Sequence, residues 1–163
     1  MFREMRRNKQ VMSEADTIRV LESCTAGVLA CSGDDGYPYA VPVSYVYADG
    51  KIYFHSAKTG HKLDAIARGE KVSFCVIETD QIVPEELTTY FRSVIAFGRA
   101  RILEDREEKL RAIQLLGMKY SAAHMDKGNA EINNSFNAFV MVEIAIDHMT
   151  GKEAIEFVRA REK

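Results

Sequence analysis

Apolar and polar positions recur with two different periods along this chain, and the switches between them predict its elements. Ala15, Ile18 and Leu21 follow Ser13 at helical spacing. Ser13 and Asp16 resemble a capping box with a carboxylate in the usual Glu position, so the spacing predicts a helix over 13–23. From Gly27 the period shortens to two. Residues 28–31 read as a short apolar strand, 32–36 as a turn, and 37–47 as one long strand. In that strand Tyr39, Val41, Val43, Tyr45 and Tyr47 share one face, while Ala40, Pro42, Ser44 and Val46 share the other. Pro42 has no amide proton to give a ladder, so the strand is expected at an edge or distorted there.

Asp49-Gly50 signals a hairpin leading into a strand around Ile52 and Phe54. A helix capped by Thr59 and running to Gly69 follows, then a strand over 72–77. Residues 79–89, with Pro84, read as a loop. A strand over 90–103 is expected to bend or bulge at Gly98. Asp105 and Glu108 mark the start of a helix over 106–120. Residues 121–135 show no clear period and read as a loop with at most one helical turn. A last strand over 139–146, a turn over 147–152 and a charged terminal segment complete the chain. Five or six strands joined mainly by hairpins, with helices between some of them, predict an α+β fold built on an antiparallel barrel. One domain over 1–163 is expected, with 1–12 a basic arm carrying Arg3, Arg6, Arg7 and Lys9.

Composition narrows the function. A formal net charge of -2 gives no reason to expect nucleic acid. No apolar run suits a membrane-spanning helix, and Met1–Arg7 lacks the apolar core of a secretion signal, so the cytoplasm is the expected compartment. Cys24, Cys31 and Cys75 form no Cys-x-x-Cys pair and suggest neither a disulfide framework nor a zinc knuckle, and Cys31 and Cys75, inside apolar strand patterns, read as buried inert thiols.

The chemically informative stretch is Lys51–Lys62, where a strand gives way to a helix. His61 and Lys62 fall in the first helical turn, where the dipole makes each cation unfavourable by roughly 0.3–1 kcal/mol unless an anion is present. Free helical N–H groups, the Ser56 and Thr59 hydroxyls, and Lys58, His61 and Lys62 are positioned to converge on a phosphate monoester. A surface helix with solvated lysines satisfies the same pattern equally well. Phosphate-loop, nucleophile-elbow and zinc-protease motifs are absent from the sequence. His55 and His61 lack a nearby carboxylate or thiolate to complete a metal site, His124 falls in a loop and His148 in a turn. Redox or transfer chemistry would then have to come from a bound cofactor.

The succession Tyr39-Ala-Val-Pro-Val-Ser-Tyr45, Asp49-Gly50, Ile52-Tyr-Phe-His-Ser56, Gly60-His-Lys62, Tyr90-Phe-Arg-Ser-Val94 and Gly98 resembles the pyridoxamine 5′-phosphate oxidase-like FMN-binding split-barrel family. Met5-Arg-Arg7, Phe54-His-Ser56 and Thr150-Gly-Lys152 are similar to its nitroimidazole-resistance branch. That resemblance implies a six-stranded antiparallel split barrel with flanking helices, forming a homodimer with FMN at the subunit interface. It places Pro42, Val43, Ser44 and Tyr45 beside the flavin ring, and His55 and Ser56 near the ribityl chain and phosphate. It further puts His61, Lys62 and Ser93 around the phosphate, and gives His55 a catalytic role. Authentic pyridoxamine phosphate oxidases carry a tryptophan in a carboxy-terminal signature, and this chain has none, which argues against that substrate. The expected activity is an FMN-dependent oxidoreductase passing electrons from NAD(P)H to a small planar acceptor such as a nitroimidazole or nitroaromatic. The alternatives are a non-catalytic flavin carrier or sensor, and a haem binder using His124 or His148 as axial ligand.

Overall fold

The computed structural model describes residues 1–162. Seven strands, β1 (Ala26–Ser32), β2 (Pro38–Ser44), β3 (Val46–Ala48), β4 (Lys51–Ala57), β5 (Lys71–Val83), β6 (Thr88–Ile102) and β7 (Phe139–Glu153), form one antiparallel sheet in the order β2-β1-β5-β6-β7-β4-β3. Five helices flank it: α1 (Glu14–Ser23), α2 (His61–Arg68), α3 (Arg106–Ser121), α4 (Met125–Ser135) and α5 (Ile155–Arg161). The two edge strands, β2 and β3, are consecutive in the chain and separated only by Tyr45. The sheet must therefore curl until its edges approach at that residue, yet β2 and β3 do not pair and the sheet stays open. The expected α+β fold with an antiparallel sheet and flanking helices is found, with seven strands in an open sheet where a six-stranded split barrel was expected.

The division at Tyr45 has a specific cause. Ala26 and Ser44 are the last partners in the β1–β2 ladder, so Thr25 and Tyr45 would pair next. The Tyr120 hydroxyl from the end of α3 takes that place. It accepts from the Tyr45 N–H at 3.0 Å, and its own proton faces the carbonyls of Thr25 at 2.5 Å and Tyr45 at 2.8 Å. A phenol wedged into the ladder ends β2 and sends the chain across to β4 as β3. Burial pushes the Tyr120 phenol up from its ordinary value, which keeps the proton this wedge uses.

Local chemistry explains most other boundaries. The Ser13 hydroxyl caps α1 by accepting from the Asp16 N–H, and the Asp105 carboxylate caps α3 by accepting from the Glu107 and Glu108 N–H groups. Asp49 and Gly50 both have positive φ, 49° and 76°, as a two-residue hairpin turn between β3 and β4 requires. At Gly98 the β6–β7 register slips by one residue, and a Cβ there would lie 2.3 Å from the Ala145 carbonyl oxygen.

Four expectations are corrected. The 79–89 loop is instead the tip of a β5–β6 hairpin, in which Pro84–Glu86 forms a single 3-10 turn. The 147–152 turn is strand, because β6 offers partners from Arg92 through Ile102 and the extra residue is absorbed at Asp147. Residues 121–135 contain a 3-10 turn over Ala122–His124 and the whole of α4. Gly60, at φ 131°, takes the N-cap position of α2 with no side-chain cap, displacing Thr59 from that role.

The inner face of the curl holds the core. Leu29, Phe74, Val76, Val94, Ile52, Phe54 and Ile144 pack with Val20 and Leu21 of α1 and with Leu63 and Ile66 of α2. Each such side chain contributes about 1.5–3 kcal/mol on burial. Across the sheet, the pairing register lines up Pro42, Val28, Cys75, Ile95 and Thr150 in one row, and Ala40, Ala30, Ser73, Phe97 and His148 in the next. These residues alternate with the buried set, so they form the outward face. Helix α3 packs on this face only at its β4–β7 end, and among the described residues no helix covers these two rows, where Ile95 remains 42% and, farther along β5, Ile77 61% exposed. Phe2 of the amino-terminal arm stacks on His148 at 4.6 Å and on Phe97 at 5.4 Å, at one end of that face.

Candidate functional site

Two features stand close in sequence on either side of the end of β4. The first is the β4–α2 corner. Along β4, Ile52, Phe54 and Ser56 point inward, while Tyr53 and His55 point outward. Ser56 is 4% exposed, and its Oγ has no hydrogen-bond partner. A buried hydroxyl left unpaired costs about 1–3 kcal/mol, so an orphan of this kind marks a place where something else accepts or donates. Five residues later α2 begins without a side-chain cap, and the Gly60 carbonyl takes the Leu63 and Asp64 N–H groups, leaving those of His61 and Lys62 without a backbone acceptor. Lys62, half-buried in that turn, makes no ion pair among the described residues. An uncapped helix start, an unpaired lysine and an orphaned buried hydroxyl together fit a phosphate group.

His61 is already engaged. Its ring stacks on Tyr39 at 3.9 Å, and its Nε2 lies 3.6 Å from Asp34, which also receives Arg68 at 2.7 Å. It therefore steadies the loop before β2, while Lys58 and Lys62 make no ion pair among the described residues. Ser93 stands apart as well. On β7, Ser56 pairs opposite Val140 and Ser93 opposite Lys152, which separates them by roughly 40 Å of strand. Within one chain Ser93 does not join the corner; it lies on the outward face between Ile77 and Lys152.

The second feature is a cleft of about 390 Å³ between the outward side of β4, the end of β2 and the pair α3/α4. Ser44 and His55 form its sheet wall. Leu116, Gly117 and Tyr120 line it from α3, and Met125, Gly128, Glu131 and Ile132 from α4. His55 is exposed and makes no hydrogen bond within the described residues, so its ring nitrogens are available to a ligand. The expected flavin neighbours separate by face. Pro42 and Ser44 are exposed, Val43 packs inward on the core, and Tyr45 is fully buried. The Tyr45 hydroxyl donates to the Leu21 carbonyl at 2.7 Å, its backbone is held by Tyr120, and Lys119 lies over its ring at 4.3 Å. Tyr45 thus shapes the corner without offering polar atoms to a ligand. Burial raises its phenol well above the ordinary value, so it stays protonated.

A profile of the family described as pyridoxamine 5′-phosphate oxidase matches residues 13–153. The chain belongs to that family. Solved structures agree with the assignment. A conserved hypothetical protein of Mycobacterium tuberculosis is 25% identical, with 92% of this chain and 90% of that one covered at a TM-score of 0.79. An FAD-binding protein of Mesorhizobium loti is 27% identical over 89% and 97%, at 0.62. A candidate 5-nitroimidazole antibiotic resistance protein of Bacteroides thetaiotaomicron is 21% identical over 88% and 86%, at 0.72, a likeness of fold. No curated protein gives a significant match to the chain.

In this pyridoxamine 5′-phosphate oxidase family member the sequence pattern places α3 of the cleft's helical wall but not α4. Tyr120 carried no signal of its own, and α4 lacked a readable period. The remaining histidines have other surroundings: His124 is exposed at the end of its 3-10 turn, and His148 is stacked under Phe2. No group of three His, Cys, Asp or Glu among the described residues is arranged to hold a metal ion.

Proposed function

We propose that the protein is an FMN-dependent oxidoreductase that works as a homodimer in the cytoplasm and reduces a small planar acceptor, such as a nitroimidazole or nitroaromatic, with NAD(P)H as donor. The observation that carries this reading is the β4–α2 corner, where Lys62, the free His61 and Lys62 N–H groups and the orphaned Ser56 hydroxyl suit one terminal phosphate monoester. Family membership and flavin-binding relatives support it. A single helix start suits one terminal phosphate. When bound, the flavin would supply the electron transfer that the side chains lack.

The chain's own residues would do the rest. Lys62 and α2 hold the phosphate, the exposed Pro42–Ser44 edge borders the ring, and His55 at the cleft mouth is poised to hold or give a proton to the acceptor. The uncovered outward face, apolar from Pro42 across to Ile95, supports dimerisation. A second copy there would also bring its Ser93 to a position that one chain cannot reach on its own.

The test is a visible spectrum of the purified protein, mass determination of the molecule released by heat, and rapid mixing with NADH and NADPH under argon. Flavin bands, an FMN mass and loss of flavin absorbance with one donor are expected. A colourless protein that takes up no added FMN, or a flavin that neither donor bleaches, defeats the proposal.

A further inference from the structure

The cleft between β4 and the α3/α4 pair has a chemical character of its own. Its walls are mostly apolar, from Leu116, Met125, Ile113, Ile132 and the Tyr120 ring, whose hydroxyl is taken up by Tyr45 and Thr25, with polar atoms from the Ser44 and Ser121 hydroxyls and the His55 ring. One formal charge faces it, the Glu131 carboxylate, and neither lysine nor arginine lines it. Glycines stand in both helical walls, Gly117 on α3 and Gly128 on α4, where bulkier residues would close the gap. A Cβ at Gly128 would meet nothing within 4 Å. The slot is therefore open at Gly128, while at Gly117 the helices are close, since a Cβ there would meet the Met125 Sδ at 3.3 Å. Its volume of about 390 Å³ is at the small end for ligand pockets.

We propose that this cleft binds a small planar aromatic ring carrying no negative charge, lying between the glycine-bearing faces of α3 and α4 and the rings of His55 and Tyr120, and that Glu131 biases it towards cations. The proposal rests on the oxidoreductase reading for the ring's role as acceptor, but its binding chemistry stands on the lining alone. An anion such as a phosphorylated pyridine or a benzoate would be desolvated against apolar walls with a carboxylate as its only charged neighbour. A neutral ring loses little, and an ammonium or amidinium gains Glu131. Helix α4 makes its helical contacts with α3 and the Ala122–His124 turn, and none of its residues is buried, so it can shift to admit the ring without disturbing the core.

The experiment uses three probes of one shape on the full chain: para-nitrobenzyl alcohol, para-nitrobenzylammonium and para-nitrobenzoate. Binding is read by ligand-observed NMR on protein as purified, without donor, and flavin content is read separately by absorbance. Failure of the flavin reading would show in the absorbance and leave the binding order still measurable. The neutral and cationic probes are expected to bind at least tenfold more tightly than the anion. Gly128→Leu places a better helix former in α4 and a side chain in the slot, and is expected to weaken both by tenfold or more while circular dichroism is kept. Glu131→Gln is expected to narrow the gap between cation and anion. Equal or tighter binding of the benzoate, unaltered binding in Gly128→Leu, or no binding by any probe because a second copy fills the cleft would overturn the proposal.

Discussion

Removing one oxygen atom tests how the sheet is split. Tyr120→Phe keeps the ring that lines the cleft and deletes the hydroxyl that bonds the Tyr45 N–H at 3.0 Å and the carbonyls of Thr25 and Tyr45. Thr25 is exposed, and water can replace its bond. Tyr45 is fully buried, so its N–H and carbonyl are left without a partner unless the β1–β2 ladder closes by one more pair. An unsatisfied buried group costs about 1–3 kcal/mol. Partial closure of the ladder recovers some of that, which puts the expected loss near the cost of one such group, about 1–3 kcal/mol. For a chain of this length each kcal/mol lowers Tm by roughly 2–4 °C, so a fall of about 3–10 °C is expected in calorimetry, with a matching shift of the urea midpoint. The split also shapes the Pro42–Ser44 edge, so FMN affinity should fall in the same variant. A Tm within about 1 °C of the parent, with unchanged FMN affinity, would refute the claim that this hydroxyl holds β2 and β3 apart.

Other parts of the structure make separate predictions. Asp105→Ala removes the acceptor for two α3 N–H groups and should cost about 1 kcal/mol, measured by urea unfolding, whereas Glu104→Ala next to it should cost little. Glu153 is 1% exposed and receives Arg161 and Arg92, the latter at 3.3 Å. The Arg161 and then Arg92 hydrogen bonds outweigh burial and hold its carboxyl below the ordinary glutamate range. Because the folded value is the lower one, its contribution is complete above the unfolded pKa near 4.5 and is lost as pH falls through the depressed value. Glu153→Gln should therefore destabilise by about 1–3 kcal/mol at neutral pH, and the gap should narrow as the pH falls below the ordinary glutamate range in acid titrations followed by circular dichroism. The arginines are partly exposed and can return to water, which keeps the figure below that of a fully buried pair.

What could be read from the chain was decided locally. The Ser13 and Asp105 caps, the Asp49-Gly50 hairpin and the Gly98 bulge each depend on residues within a few positions, and all are found where the pattern puts them. The errors come from distant partners. Tyr45 breaks a strand of good alternation because of a hydroxyl 75 residues away. Asp147–Lys152 is rich in turn-forming residues but stays extended because the long β6 strand supplies its ladder. Helix α4 has only Met125 and Ile132 to show on its inner side, and it forms by packing on α3. At the site, the strand-to-helix corner carrying Ser56 and Lys62 was legible as local structure, whereas the engagement of His61 by Tyr39 and Asp34 depends on how the β1–β2 loop folds back.

The central claim is that the start of α2 holds the phosphate of a flavin mononucleotide, and titration of flavin-free protein with FMN and riboflavin, in parent and Lys62→Ala, tests it most directly. A charge-assisted hydrogen bond is worth about 1.5–3 kcal/mol, so Lys62→Ala should weaken FMN roughly 10- to 150-fold and leave riboflavin, which has no phosphate, nearly unchanged. Equal FMN affinity in parent and variant, or an equal loss for both ligands, would contradict the account.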